Sequence, residues 1–125
     1  MTIVNRVAVA FATFMLACEI LMPARADVMK ELAPTGKLRV AIAVAPAPSA
    51  LFAIKDDTTG QYRGVTVELG SAMAKELGVP VEFLPHLASG EIQNSAASGK
   101  WDVTFMPVDA EGRKIVNFGA PYYVL

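Results

Sequence analysis

The sequence predicts an α/β domain built on a mostly parallel sheet flanked by helices. Three observations carry that reading. From residue 38 onward, strand-like and helix-like stretches alternate (strand, helix, strand, helix, strand, helix, strand), which is the order that builds parallel sheets. The run Leu38-Arg39-Val40-Ala41-Ile42-Ala43-Val44 is β-branched and mostly apolar, as suits a strand covered on both faces. Between Gly64 and Gly78, Val65, Leu69, Met73 and Leu77 recur at a spacing of four with Ala72 beside them. Glu68, Lys75 and Glu76 fall mostly elsewhere around that helix.

A length of 125 residues allows one domain, and part of it reads as targeting. Met1 to Arg6 carries one positive charge, Val7 to Ala17 is an apolar run, and Ala24-Arg25-Ala26 offers small residues where a signal peptidase requires them. The expected boundaries are a signal peptide over 1–26, cleaved after Ala26, and a folded domain over 27–125. The apolar run is about half of the roughly 20 residues a membrane-spanning helix needs, and Glu19 and Pro23 also oppose an anchor. Two other readings compete. Met15-Leu16-Ala17-Cys18 resembles a lipoprotein cleavage box with methionine where leucine is usual, and 1–26 as a buried helix lacks the caps and period of one.

Charge narrows the partners. Eleven Lys and Arg stand against 12 Asp and Glu, and loss of the leader removes two arginines but one glutamate. That balance opposes nucleic acid or an anionic membrane surface, both of which require clustered basic residues. The one cysteine, Cys18, leaves with the leader, so no disulfide is expected.

After the leader, Asp27 is expected to cap a short helix through Leu32, ended by Pro34 and Gly36. The first strand, 38–44, stops at Pro46 and Pro48. Lys55 to Gln61 reads as a surface turn between two short extended pieces, Leu51–Ile54 and Tyr62–Arg63. Gly64 opens the main helix and Gly78 ends it. Val81–Leu84 is a second strand, Pro85-His86-Leu87 a turn, Ser89–Ser98 a weak helix ended by Gly99, and Trp101–Met106 a third strand broken by Pro107. Asp109 is expected to cap a brief helix to Val116, and Tyr122–Leu125 to begin another extended piece. In open sheets of this class, ligands sit at the carboxyl ends of the strands. That singles out Pro46 to Phe52 and Met106 to Asp109.

No catalytic constellation emerges. His86 is a lone histidine, and with no cysteine it cannot build a zinc site without several carboxylates. The serines lack a nucleophile elbow, no phosphate loop is present, and Asp56-Asp57 is a solvated turn rather than a catalytic pair. No metal, cofactor or enzyme activity is expected.

The order of motifs nonetheless carries a resemblance. Gly36-Lys37-Leu38-Arg39-Val40 is followed by Thr59-Gly60, by Gly64-Val65-Thr66-Val67-Glu68-Leu69 and by Lys75-Glu76-Leu77-Gly78-Val79-Pro80-Val81-Glu82. Ser98-Gly99-Lys100-Trp101-Asp102-Val103 and Asn117-Phe118-Gly119-Ala120-Pro121-Tyr122 complete the set. Together these resemble the extracellular solute-binding proteins of family 3, mostly periplasmic receptors of polar amino acid ABC transporters.

The resemblance implies a fold of the periplasmic-binding-protein type II, here the first lobe of a clamp that closes on its ligand. It implies an inner-membrane permease as partner, a small polar ligand such as an amino acid, and a periplasmic location. The implied ligand residues are Ser49 and Phe52 after the first strand, Met106, Val108 and Asp109 after the third, and Arg113. Phe52 would stack on the ligand, Met106, Val108 and Asp109 would hold its α-amino group, and Arg113 would fork onto its carboxylate.

Two departures stand out. Counting back six residues from Phe118, where the family has its arginine, lands on Gly112, so Arg113 is one residue late and turned by about 100° on a helix. Glu68 replaces the aspartate usual at the start of the main helix. A lone lobe is also expected to bind weakly or not at all, because one-sided contact buries less than the 70 to 90% typical of a closed site. Rival readings are a cyclohexadienyl dehydratase-like enzyme, with Asp109 as its acid or base, and a non-functional or sensor fragment of the same fold.

Overall fold

The computed structural model describes residues 22–44 and 52–124. The chain divides into two compact units, Met1–Pro34 and Thr35–Leu125. In the first, helix α1 spans Met22–Leu32, starting five residues before the expected cap. Asp27 is therefore an interior residue, and the expected cleavage point after Ala26 falls within the helix. The reason is local: proline is tolerated in a first turn, where its missing N–H has no helical partner, and Ala24-Arg25-Ala26 are strong helix formers. The apolar run 7–17 and Cys18 lie outside the described residues. Among the described residues, no helix is long and apolar enough to cross a membrane.

The second unit is the expected α/β architecture. Strand β1 (Leu38–Ala43) lies between β4 (Val81–His86) and β5 (Val103–Thr104), parallel to both. Alternation along β1 divides the core. Leu38, Val40 and Ile42 point to one face and pack with Ala53 and Ala74, while Ala41 and Ala43 point to the other and meet Ile92. Helix α2 (Val65–Leu77) covers the first face, and α3 (Ser89–Asn94) covers the second.

Helix α2 has the expected limits, with Gly64 before it and Gly78 as its left-handed C-cap at φ 73°. Its buried line differs from the expected one. Thr66, Gly70 and Ala74 lie deepest, Met73 and Leu77 flank the core, Ala72 is exposed, and Val65 is 38% exposed. Close approach explains the offset: a Cβ on Gly70 would stand 3.0 Å from Phe83 and 3.2 Å from Val40. The helix sits on the sheet through its small residues, and the larger ones wrap around the contact.

Two strands changed length. β4 runs on through Pro85 and His86, paired with Ile42 and Ala43, so His86 is a strand residue and not part of a turn. Pro85 fits because β4 is an edge of the described sheet, where a missing N–H breaks no ladder bond. β5 is shorter than 101–106, pairing only Val103 and Thr104 with Val40 and Ala41. The segment 89–98 divides into α3 and a 3₁₀ turn at Ala96–Ser98. Tyr122 to Val124 forms no strand.

Strands β2 (Ile54–Lys55) and β3 (Tyr62–Arg63) form a hairpin around the expected turn, with Lys55 in the strand rather than in the turn. The N–H groups of Thr59 and Thr58 donate to Asp56 Oδ1 at 2.9 and 3.0 Å. Those bonds hold the Asp56 carboxyl below its usual range. A lowered folded value means the turn gains stability above the ordinary aspartate pKa and loses it as pH falls through the folded one. The Thr58 and Thr59 amide resonances should therefore titrate with a midpoint below about 3.9, the ordinary aspartate value. A midpoint at or above that value contradicts this account.

Candidate functional site

Main-chain bonds gather three strand ends at one edge of the sheet. The Val44 N–H donates to the His86 carbonyl, and the Ala53 N–H donates to the Ala43 carbonyl at 3.0 Å, which returns the chain to the end of β1. Val44 and Ala53 form a parallel bridge. Phe52 therefore stands at this edge, 38% exposed, beside the start of α2. Gly64 allows the approach: its φ of 127° suits glycine, and a Cβ there would lie 2.6 Å from the Phe52 carbonyl oxygen. Ser49 lies outside the described residues.

The loop after β5 supplies the other expected residues. Met106 is half-buried and packs with Trp101 against Ala41, Ala43 and Ile92, so its side chain serves the core. Trp101 Nε1–H donates to Ser95 Oγ at 2.9 Å, in keeping with a packing role. Val108 is 47% exposed. Asp109, the expected cap, is exposed and lies two residues ahead of Glu111, which takes the N-cap position of the last helix, α4 (Gly112–Ile115); Asp109 Oδ1 accepts the Gly112 N–H at 2.6 Å. Its Oδ2 accepts a long 3.4 Å bond from Gln93 Nε2. A carboxylate has about four lone-pair sites, so Asp109 keeps acceptor capacity on its exposed side.

Arg113 is exposed, with its guanidinium carbon 5.8 Å from the centroid of the Phe118 ring. The Arg113 N–H donates to the Asp109 carbonyl at 3.2 Å, so the two residues are one turn apart. Among the described residues, neither side chain has an oppositely charged partner.

Sequence reasoning missed the strongest polar feature. Arg39 on β1 donates from Nε and Nη2 to the Asp102 carboxylate at 3.0 and 2.6 Å, and from Nη1 to the Gly99 carbonyl at 2.8 Å. The backbones also join, with Asp102 N–H donating to the Arg39 carbonyl and Arg39 N–H to Asp102 Oδ2, each at 2.9 Å. These bonds fix the entry to β5 and so the loop beyond it. The alternation of apolar residues in a strand hides such a pair; its signal is one arginine inside a buried run.

The model of the bacterial extracellular solute-binding proteins, family 3, matches residues 38–124. The chain belongs to this family. Its structure is similar to other solute-binding folds, with 38% identity and a TM-score of 0.61 to an ancestral cationic amino acid solute-binding protein, over 77% of this chain and 41% of that one. An ancestral cyclohexadienyl dehydratase is similar at 29% identity and TM-score 0.61, over 76% of this chain and 38% of that one. The arginine-bound form of domain 1 of TmArgBP, the arginine-binding protein of T. maritima, is similar at 28% identity and TM-score 0.61, over 74% of this chain and 71% of that domain. The chain thus spans about 41% of the first of these structures. A comparison with curated proteins gave no match. The family supports a solute-binding role for the chain.

Proposed function

We propose that the chain binds a zwitterionic amino acid, with cationic side chains preferred, at the carboxyl edge of its sheet. The observation that carries this reading is Asp109 and Arg113, one turn apart and without opposite-charge partners among the described residues. A carboxylate matches an α-ammonium and a guanidinium fork matches an α-carboxylate, each bond charge-assisted at both ends. Phe52 offers an apolar face for the ligand side chain, and the exposed Val108 adds a second apolar contact. The similarity to a cationic amino acid receptor and to an arginine-bound single domain supports the ligand class and the use of one lobe. In this reading residues 1–26 direct export to the periplasm, 27–125 form the receptor lobe, and an inner-membrane ABC permease receives the solute.

Calorimetry on the purified chain with arginine, lysine, histidine, glutamine and glutamate tests the ligand class. One-sided contact sets the expected dissociation constant for arginine or lysine at about 0.1–1 mM, some −5 to −4 kcal/mol. No heat from any of the five at millimolar ligand sinks the reading. The dehydratase similarity favours a second reading, in which Asp109 does acid and base work. Its bond from the Gly112 N–H favours a fixed acceptor instead. Aromatic product formed from prephenate or arogenate would decide for the enzyme.

A further inference from the structure

We infer that Phe118 is the positioning residue that aims Arg113 at a ligand carboxylate, which rests on the amino-acid-binding reading above and deepens it. Arg113 lies on a short exposed helix, where a long side chain would otherwise sample many rotamers. Its guanidinium instead lies 5.8 Å from the Phe118 centroid, inside the roughly 6 Å range in which a ring face attracts a cation.

The ring is itself seated. A Cβ at position 112 would lie 3.0 Å from Phe118 Cζ, 3.3 Å from its Cε2 and 3.1 Å from Asp109 Oδ1. Gly112 is thus where the Phe118 ring and the Asp109 carboxylate converge, and any side chain there would displace one of them. The cluster holds an anionic acceptor and a cationic donor on either side of one glycine. With the ring holding the cation and no hydrogen bond or ion pair from its side chain to the described residues, the in-plane N–H groups of Arg113 remain free for a bidentate partner. The shift of the arginine from position 112 to 113 is in this way compensated by an aromatic perch.

The test uses the full chain and two probes that carry the same two cationic groups and differ in the carboxylate, arginine and its decarboxylated analogue agmatine. Phe118→Leu removes the ring face at similar bulk and should weaken arginine binding about five- to tenfold while leaving agmatine within about twofold. Phe118→Tyr, which keeps the face, should restore the difference between the probes. Circular dichroism confirms folding of each variant, and Phe118→Met is the aliphatic substitute should leucine unfold the loop. Equal losses for both probes, an unchanged arginine affinity, or a tyrosine variant as weak as leucine overturns the positioning role while amino acid binding stands. If the unsubstituted chain binds no amino acid, the underlying reading fails and this inference falls with it.

Discussion

Replacing Asp102 with alanine is expected to lower the unfolding free energy by about 3 kcal/mol, at the low end of what removing one partner of a buried ion pair costs. The carboxylate is 4% exposed and its partner guanidinium 18% exposed, so the substitution strands a charge that water reaches poorly. Asp102 also accepts the Arg39 backbone N–H, and that donor would be left without its carboxylate. The Lys37–Glu82 pair is the internal control: at 44% and 41% exposure, its loss through Glu82→Ala should cost within about 0.5 kcal/mol. Denaturant midpoints at unchanged slope measure both. Equal costs for the two variants would remove the basis for this distinction. Hydrogen bonding to Asp102, with attraction to Asp102 and Glu82, raises the Arg39 pKa against the opposing effect of desolvation. A raised folded value stabilises at every pH below the ordinary arginine range and is lost only above it, so the arginine introduces no pH dependence under working conditions.

Gly64→Ala is expected to cost about 3 kcal/mol and to shift Phe52. At φ 127° and ψ 172° the backbone is in a region essentially reserved for glycine, which alone costs about 1–3 kcal/mol for another residue. The new Cβ would also stand 2.6 Å from the Phe52 carbonyl oxygen, a backbone atom that cannot rotate away. Thermal unfolding gives the stability loss, and calorimetry with arginine reads the effect at the site. A stability change under about 0.5 kcal/mol, the range of ordinary surface substitutions, would contradict the strained geometry.

The alternation of elements was legible because it rests on periodicity and punctuation. A buried first strand, a two-piece hairpin around an Asp-Thr-Gly turn and a helix bounded by two glycines all appear where those signals put them. What failed depended on partners distant in sequence. The buried line of α2 follows Gly70, whose closeness to Val40 and Phe83 no helical wheel contains. His86 is in a strand because Ala43 pairs with it, and its Pro-His-Leu neighbourhood suggested otherwise. At the site, the spacing from Phe118 flagged Gly112 and Arg113, but the reason position 112 is glycine, a ring and a carboxylate meeting there, is tertiary.

Among the described strands the central one is also the first synthesised, while its two neighbours in the sheet begin at Val81 and Val103. Arg39 meets Asp102 across 63 residues of chain. At the usual 5–20 residues per second, the ribosome delivers β5 on the order of 3–12 s after β1. Until β4 follows, about two thirds of the way through that interval, Leu38, Val40 and Ile42 have no sheet to enter, and closing the longer loop to β5 makes the final pairing slow. The newborn chain therefore carries a naked apolar strand for seconds, the form in which a holdase would recognise it.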